Sequence, residues 1–347
     1  MKSNLYVDIH VLQNVPPSCI NRDDTGSPKT AKYGGTVRAR VSSQAWKHEM
    51  RKMFREMPGH GDVGIRTKKV TQMLADAIKE SNGGMEDEKA TKLACKALES
   101  AGIKVDKDGV SPVLMFFSAA QAKALAGLAV DGCKDKKEYQ NALQASPSID
   151  MALFGRMVAA DQSLNFDAAA QVAHAISTHA VHNEYDYFTA VDDLNLEEES
   201  GAGHLGTVEF HSATLYRYAT VNAVELQKNL GGQTADAVKC FVEAFIKAMP
   251  TGKQNTFANR TLPDFVYITL RLDQPINLVG AFEKPVSGTN GYMEESEKRF
   301  REYALSVYRK FACAPEKIWE LGEKDISQIL EEVKAAVGEK LSENGGE

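Results

Sequence analysis

Two runs of alternating apolar residues, one near each end of the 347-residue chain, constrain its fold more than any other feature. In the first, Leu5, Val7, Ile9 and Val11 fall on one side and Tyr6, Asp8 and His10 on the other, the period of a half-buried strand. Residues Phe265 to Leu272 repeat the pattern near the far end. After the first run and a turn-rich loop, SSQAWKHEMRKMFRE opens on a capping Ser and shows helical spacing at Trp46, Met50, Met53 and Phe54. Before the second run, TVEFHSATLYRYATV reads as a strand whose apolar phase shifts between Phe210 and Leu215, which predicts a bulge or break. A helix in two pieces follows: Asn222 caps it, Gly231 and Gly232 interrupt it, and Val238, Phe241, Val242, Phe245 and Met249 carry it to Pro250.

From 58 to about 180 the pattern changes to helices separated by Gly and Asp, such as VTQMLADAIKES, DEKATKLACKALES and SPVLMFFSAAQAKALAGLA. Strand, helix, long insertion, strands, helix, strand is the order of a ferredoxin-like sheet with material inserted after its first helix, an α+β class. RNA-recognition domains use that sheet. The expected organisation is a discontinuous RRM-like palm at 1–57 and 211–311, a helical insertion at 58–180, a loop or hairpin at 181–210, and a C-terminal helix and tail at 312–347 ending in a disordered SENGGE. There are no internal repeats, so any repetition in an assembly must come from copies of the chain.

The net charge of −6 is uneven: between Lys29 and Arg55 there are eight Lys or Arg residues and one acid, Glu49. That segment predicts one face that meets phosphate. Within it, Lys47, Arg51 and Arg55 recur every four residues and stack along one side of a helix. Ser42, Ser43 and Gln44 stand at the helix start, where hydroxyls, an amide and free backbone N–H groups can hold a phosphate; equally, a serine there simply caps the helix and the cations form a solvated face. The five cysteines are scattered and form no CxxC pair, so no zinc site or disulfide framework is expected. His174 and His179, five apart on an expected helix, and the adjacent Asp192 and Asp193 lack metal-pair spacing. The expectation is a chain with no cofactor and no metal. No stretch has the length of a membrane helix and the start does not read as a signal peptide, so a cytoplasmic protein without membrane contact is expected.

The blocks PPSCINRDD, YGG and RARVSSQAWKHEMR, and later HAISTHAV, DYFTAVDDL, GAGHLGTVEF and LYRYATVN, are similar in order and spacing to the CasC family, the RAMP/RRM-like backbone subunit of the type I-E CRISPR Cascade complex. The resemblance covers roughly 5 to 56 and 149 to 286; the helices between match in character, and the last 60 residues match poorly. It implies a hand-shaped protein with fingers at 58–180 and a thumb at 181–210, stacking head to tail along guide RNA as a helical filament of about six copies. Each thumb would kink the guide at regular intervals and leave the other bases to pair with target DNA in antiviral defence. The implied partners are CRISPR RNA, other copies of the chain, the Cascade large and small subunits, a guide-end-capping subunit, a guide-processing endoribonuclease and a recruited helicase-nuclease.

On this resemblance the phosphate contacts fall on Arg22, Lys29, Arg38, Arg40, Ser42, Ser43, Gln44, Lys47 and Arg51, with Lys284 as a further candidate. His48 stands where the family tends to carry a cation, which would make its contribution pH-dependent. Met157 resembles a methionine that packs against bases beside the kink, with core packing as the competing reading. Tyr187, Phe188 and Val191 resemble the apolar tip of the thumb, Tyr187 replacing the family's more common indole; burial in a core competes here too. Lys134, Lys136 and Lys137 fall where the family's fingers approach duplex DNA, and also read as a solvated charge run. The expected chain is not an enzyme. The alternatives are a metal-dependent ribonuclease using Asp23 and Asp24, which lie where related RNA-cleaving backbone subunits place an aspartate, and a general RNA-binding scaffold.

Overall fold

A computed structural model of the chain describes residues 4–57, 63–158, 162–189, 205–288 and 290–345. Its elements run β1 (Tyr6–Ser18), β2 (Thr30–Tyr33), β3 (Thr36–Val41), α1 (Ser43–Glu56), β4 (Ile65–Thr67), α2 (Val70–Ser81), α3 (Asp87–Ser100), β5 (Met115–Phe117), α4 (Ala119–Val130), α5 (Lys136–Gln144) and α6 (Ile149–Phe154). They continue with β6 (Ala170–Val172), β7 (Ala175–Ser177), β8 (Glu184–Thr189), β9 (Leu205–Asn222), α7 (Ala223–Leu230), α8 (Thr234–Lys247), α9 (Gln254–Phe257), β10 (Phe265–Arg271), α10 (Met293–Phe311), β11 (Lys317–Glu320) and α11 (Ile326–Gly345). The main sheet is ordered β11-β10-β1-β9-β7-β3-β2, with β6 and β8 also paired to β9. Its core, β10-β1-β9-β6/β7, is antiparallel and follows the ferredoxin-like thread. The α+β class expected from the order of elements is the one observed.

One face of this sheet packs on α1 and α8, where Val7, Ile9 and Val11 meet Trp46, Met50, Phe54, Val238, Phe241 and Phe245. Arg217 lies in the same layer, 3.9 Å from the Trp46 ring and bonded to Gln13 and the Phe245 carbonyl; burial draws its guanidinium down to about 9. The other face differs from the expectation. Asp8 and His10, read from alternation as the solvent side, are buried under α10, whose Phe300, Ala304 and Tyr308 pack on Leu12, Tyr216, Tyr218, Phe265 and Tyr267. Polar residues lie there because each finds a partner: Tyr218 donates to Asp8 at 3.0 Å, the Ile276 N–H donates to the other Asp8 oxygen at 2.8 Å, and His10 Nδ1 lies 2.9 Å from the Tyr216 hydroxyl. The face on which an RNA-recognition domain stacks bases is therefore closed in this chain.

Burial raises the Asp8 carboxyl to about 6. A carboxyl that binds its proton more tightly folded than unfolded adds stability at low pH. This contribution is complete below the ordinary value near 3.8 and is lost as pH rises to about 6. Asp8→Asn should abolish that decline, which urea titrations at pH 4 and pH 7 will read as a smaller pH difference in the variant.

Three further expectations change. The break looked for near 210–215 lies in β1 instead: β9 is continuous, while Val15 pairs with Ala213 and Ser18 with His211, so β1 carries the extra residue at Pro16–Pro17. The insertion holds helices α2–α5 around a core of its own, but 170–177 returns to the sheet as β6 and β7, so His174 and His179 are not on a helix. At the C-terminus, β11 extends the sheet and α11 packs on α8 through Ile329, Val333 and Val337, continuing to Gly345, so SENG is helical where disorder was expected.

Candidate nucleic-acid interface

The basic segment is folded around a closed loop and a tight hairpin. Asp23 Oδ1 accepts from the Thr25 N–H (2.9 Å), the Thr25 hydroxyl (2.7 Å) and the Ser27 N–H (3.0 Å), bonds that hold its carboxyl below the usual range. Asn21 Oδ1 then accepts from the Ser42 N–H, fastening this loop to the start of α1. Lys29 is set opposite Arg40 by the bond from the Arg40 N–H to the Lys29 carbonyl. The β2–β3 turn needs Gly34 at φ +58° and Gly35 at φ +77°. A Cβ on Gly34 would stand 1.6 Å from the Glu283 carbonyl oxygen, so Gly34→Ala should destabilise the protein by about 2 kcal/mol or more, measured by chemical denaturation.

Alternation along β3 separates its two arginines. Arg40 is half-buried, with Nε bonded to the Thr30 carbonyl and Nη1 3.1 Å from His174 Nδ1. Arg38 is 0% exposed, and its guanidinium donates to Tyr33, Thr36, Ser177, Phe282 and Glu283 oxygens. The expected phosphate contact at Arg38 is thus corrected: its donors are already used inside the protein. Arg51 is corrected likewise. Its Nε lies 2.6 Å from Asp150 Oδ2 and its Nη2 donates to the Gly64 carbonyl, so it clamps α1 to the insertion. Ser42 is buried and caps α1, accepting from the Ala45 N–H at 3.3 Å, the simpler of its two readings.

Arg22, Gln44 and His48 are exposed, and Lys29, Ser43 and Lys47 partly so. His48 stands 3.8 Å from Glu49, and Lys47 lies 5.5 Å from the Phe154 ring centre with its ammonium value lowered, first by burial and then by Arg66. Met157 is 86% exposed, which removes core packing as its explanation. Its neighbours fix it outward: Arg156 exchanges backbone bonds with Phe166 and buries its guanidinium against the Leu164, Phe116 and Leu143 carbonyls, and the Val158 N–H donates to Asn165.

Strand β8 pairs with the first part of β9 as a hairpin in which every β8 residue is exposed. Tyr185 and Tyr187 alternate onto one side, 68% and 73% exposed, and Phe188 packs over Gly206. Core burial does not account for Tyr187. Val191, Asp192 and Asp193 lie outside the described residues. Lys134, Lys136 and Lys137 are exposed around Asp135, which caps α5, and Lys284 is exposed.

Among the described residues no group of three His, Cys, Asp or Glu side chains is arranged to hold a metal ion. His179 has a structural environment, accepting from the Thr214 N–H at 3.0 Å and stacked 3.7 Å from Tyr292. Sequence reasoning missed Arg66, whose guanidinium lies 4.6 Å from the Phe116 ring centre, because a three-residue strand carries no periodicity. It also missed Tyr185, which the repeat of Tyr185 and Tyr187 on one side of a strand could have indicated.

Fold and surface together define a ferredoxin-like protein with a helical insertion, an exposed aromatic β8–β9 ribbon, and a basic segment that runs from the β2–β3 hairpin into its first helix. It belongs to the CT1975-like protein family, whose pattern it matches over residues 7–343. Over its length it is similar to a chain of a solved "CRISPR RNA-guided surveillance complex, pre-nicking", with 32% identity, a TM-score of 0.82, and 96% of this chain and 100% of the other covered. A chain of a second "CRISPR RNA-guided surveillance complex" is similar at 27% identity and TM-score 0.72, covering 95% and 99%. No curated protein matches it.

Proposed function

We propose that this chain is the guide-RNA-binding backbone subunit of a type I-E Cascade complex, acting in the cytoplasm and without catalytic activity of its own. Copies bind side by side along the spacer of a CRISPR RNA, holding its phosphates through Arg22, Lys29, Arg40, Ser43, Gln44 and Lys47. Met157 and the β8–β9 hairpin kink the strand, and the bases between kinks pair with target DNA. Protein then reads backbone while RNA reads sequence. The observation that carries this reading is the exposure of Met157, Tyr185 and Tyr187: a long thioether on the insertion and aromatic rings on the β8–β9 ribbon, all facing solvent, suit base stacking, which tolerates any sequence. Asp23, one of the two acids on which a ribonuclease reading rests, has one carboxylate oxygen committed to closing its own loop.

The test is to co-express the chain with its neighbouring subunits and a repeat–spacer transcript, purify the assembly and sequence the RNA it retains. A defined guide supports the proposal. Mixed cellular RNA, or none, refutes it in favour of a general scaffold or another role, and Mg-dependent cleavage lost in Asp24→Ala would make the chain a ribonuclease.

A further inference from the structure

Where α1 meets the insertion, three cations share one carboxylate. Lys47 and Arg51 are one helical turn apart on α1, and Arg66 comes from β4 of the insertion. Arg51 takes Asp150. The Arg51 and Arg66 guanidinium carbons lie 4.9 and 4.6 Å from the centre of the Phe116 ring, and Lys47 rests against Phe154. Among the described residues, neither Lys47 nor Arg66 has a carboxylate within ion-pair distance. Lys47 is thus left without a close counter-ion, and the exposed Arg66 has only the longer-range attraction of Asp150, which Arg51 already engages.

Such an arrangement is unfavourable in the free protein, because each cation loses hydration and repels the others. Both side chains show this: burial first and then Arg66 lower Lys47, while burial first and then Arg51 lower Arg66 against a smaller upward pull from Asp150. An anion placed between them removes the repulsion. A guanidinium fork beside an ammonium fits the oxygens of one phosphodiester, with the fork giving direction and the ammonium a point charge.

We infer that Lys47 and Arg66 together form a binding site for a single phosphodiester of the guide strand, one ligand supplied by α1 and the other by the insertion. The inference rests on the function proposed above and extends it: RNA occupancy at this point joins the two parts of the chain, and Arg66 becomes a guide-positioning residue. A phosphate held from both sides also fixes the angle at which the insertion approaches the strand.

The probe is a fluorescently labelled guide RNA titrated into the guide-free chain and subunit mixture at several salt concentrations, with wild type, Lys47→Gln, Arg66→Gln, Arg66→Lys and the Lys47→Gln/Arg66→Gln double variant. Each Gln variant should bind about tenfold more weakly and lose roughly 0.7 from the logarithmic salt slope, the value for one single-strand phosphate. Arg66→Lys, which keeps the charge, should retain the slope. Because one phosphate is shared, the double variant should bind little more weakly than either single. Unchanged affinity and slope in Arg66→Gln, a lost slope in Arg66→Lys, or fully additive losses in the double variant would each overturn the shared site. A wild-type mixture that binds no guide would instead refute the proposed function itself.

Discussion

Asp150→Ala should destabilise the protein by about 3 to 5 kcal/mol, more than any surface substitution in the cationic segment. Asp150 is 0% exposed and serves three partners: Arg51 Nε at 2.6 Å, the Gly64 N–H at 2.8 Å and the Ser148 hydroxyl at 2.7 Å. Removing the carboxylate leaves the Arg51 guanidinium in a water-poor site with Lys47 and Arg66 nearby, and leaves a buried N–H without an acceptor. The loss then exceeds the value of the ion pair, because the cost of burying the remaining charge is no longer offset. Urea denaturation followed by circular dichroism gives the difference directly. A loss below about 1 kcal/mol would mean that water or chain relaxation replaces the carboxylate, and that α1 and the insertion are not clamped at this point. Arg51→Glu would be worse still, placing two acids together, and is for that reason a poor probe of RNA binding.

The clamp also shows where the sequence was readable. Wherever one side of an element is apolar and the element is long, as in α1, in α8 and on the Val7–Val11 side of β1, periodicity alone predicted the packing. It failed where burial is satisfied by hydrogen bonds. Asp8 and His10 look like a solvent face until Tyr218, Ile276 and Tyr216 supply their partners from residues more than 200 positions away. Arg38, Arg40 and Arg51 look alike in a basic run, yet Ser177, Phe282 and Asp150 decide that two of them are internal. No local pattern encodes such distant partners. The short strands β4, β6 and β7 were hidden for a related reason: at three residues each, their identity comes from pairing with β5, β3 and β9.

The same division makes a sharp test of the proposed guide-binding face. Arg22→Glu with Lys29→Glu should leave the melting temperature within a few degrees of wild type, since neither side chain lies in the core and surface charges contribute about 1 kcal/mol or less. Guide affinity should nevertheless fall roughly a hundredfold at 0.15 M salt, about tenfold for each phosphate contact turned into a repulsion. Arg38→Gln should behave in the opposite manner. It removes donors to the buried carbonyls of Ser177 and Phe282 and to the part-buried carbonyl of Glu283, so it should lower the unfolding free energy by about 2 to 3 kcal/mol. Any effect on guide affinity should then follow the fraction unfolded and disappear at temperatures where the variant is fully folded. Measuring melting temperature and guide affinity on both variants separates a binding face from a structural one. Equal losses of affinity and stability in the Arg22→Glu/Lys29→Glu protein would place that loop in the fold's support, and the phosphate path would have to run over other cations.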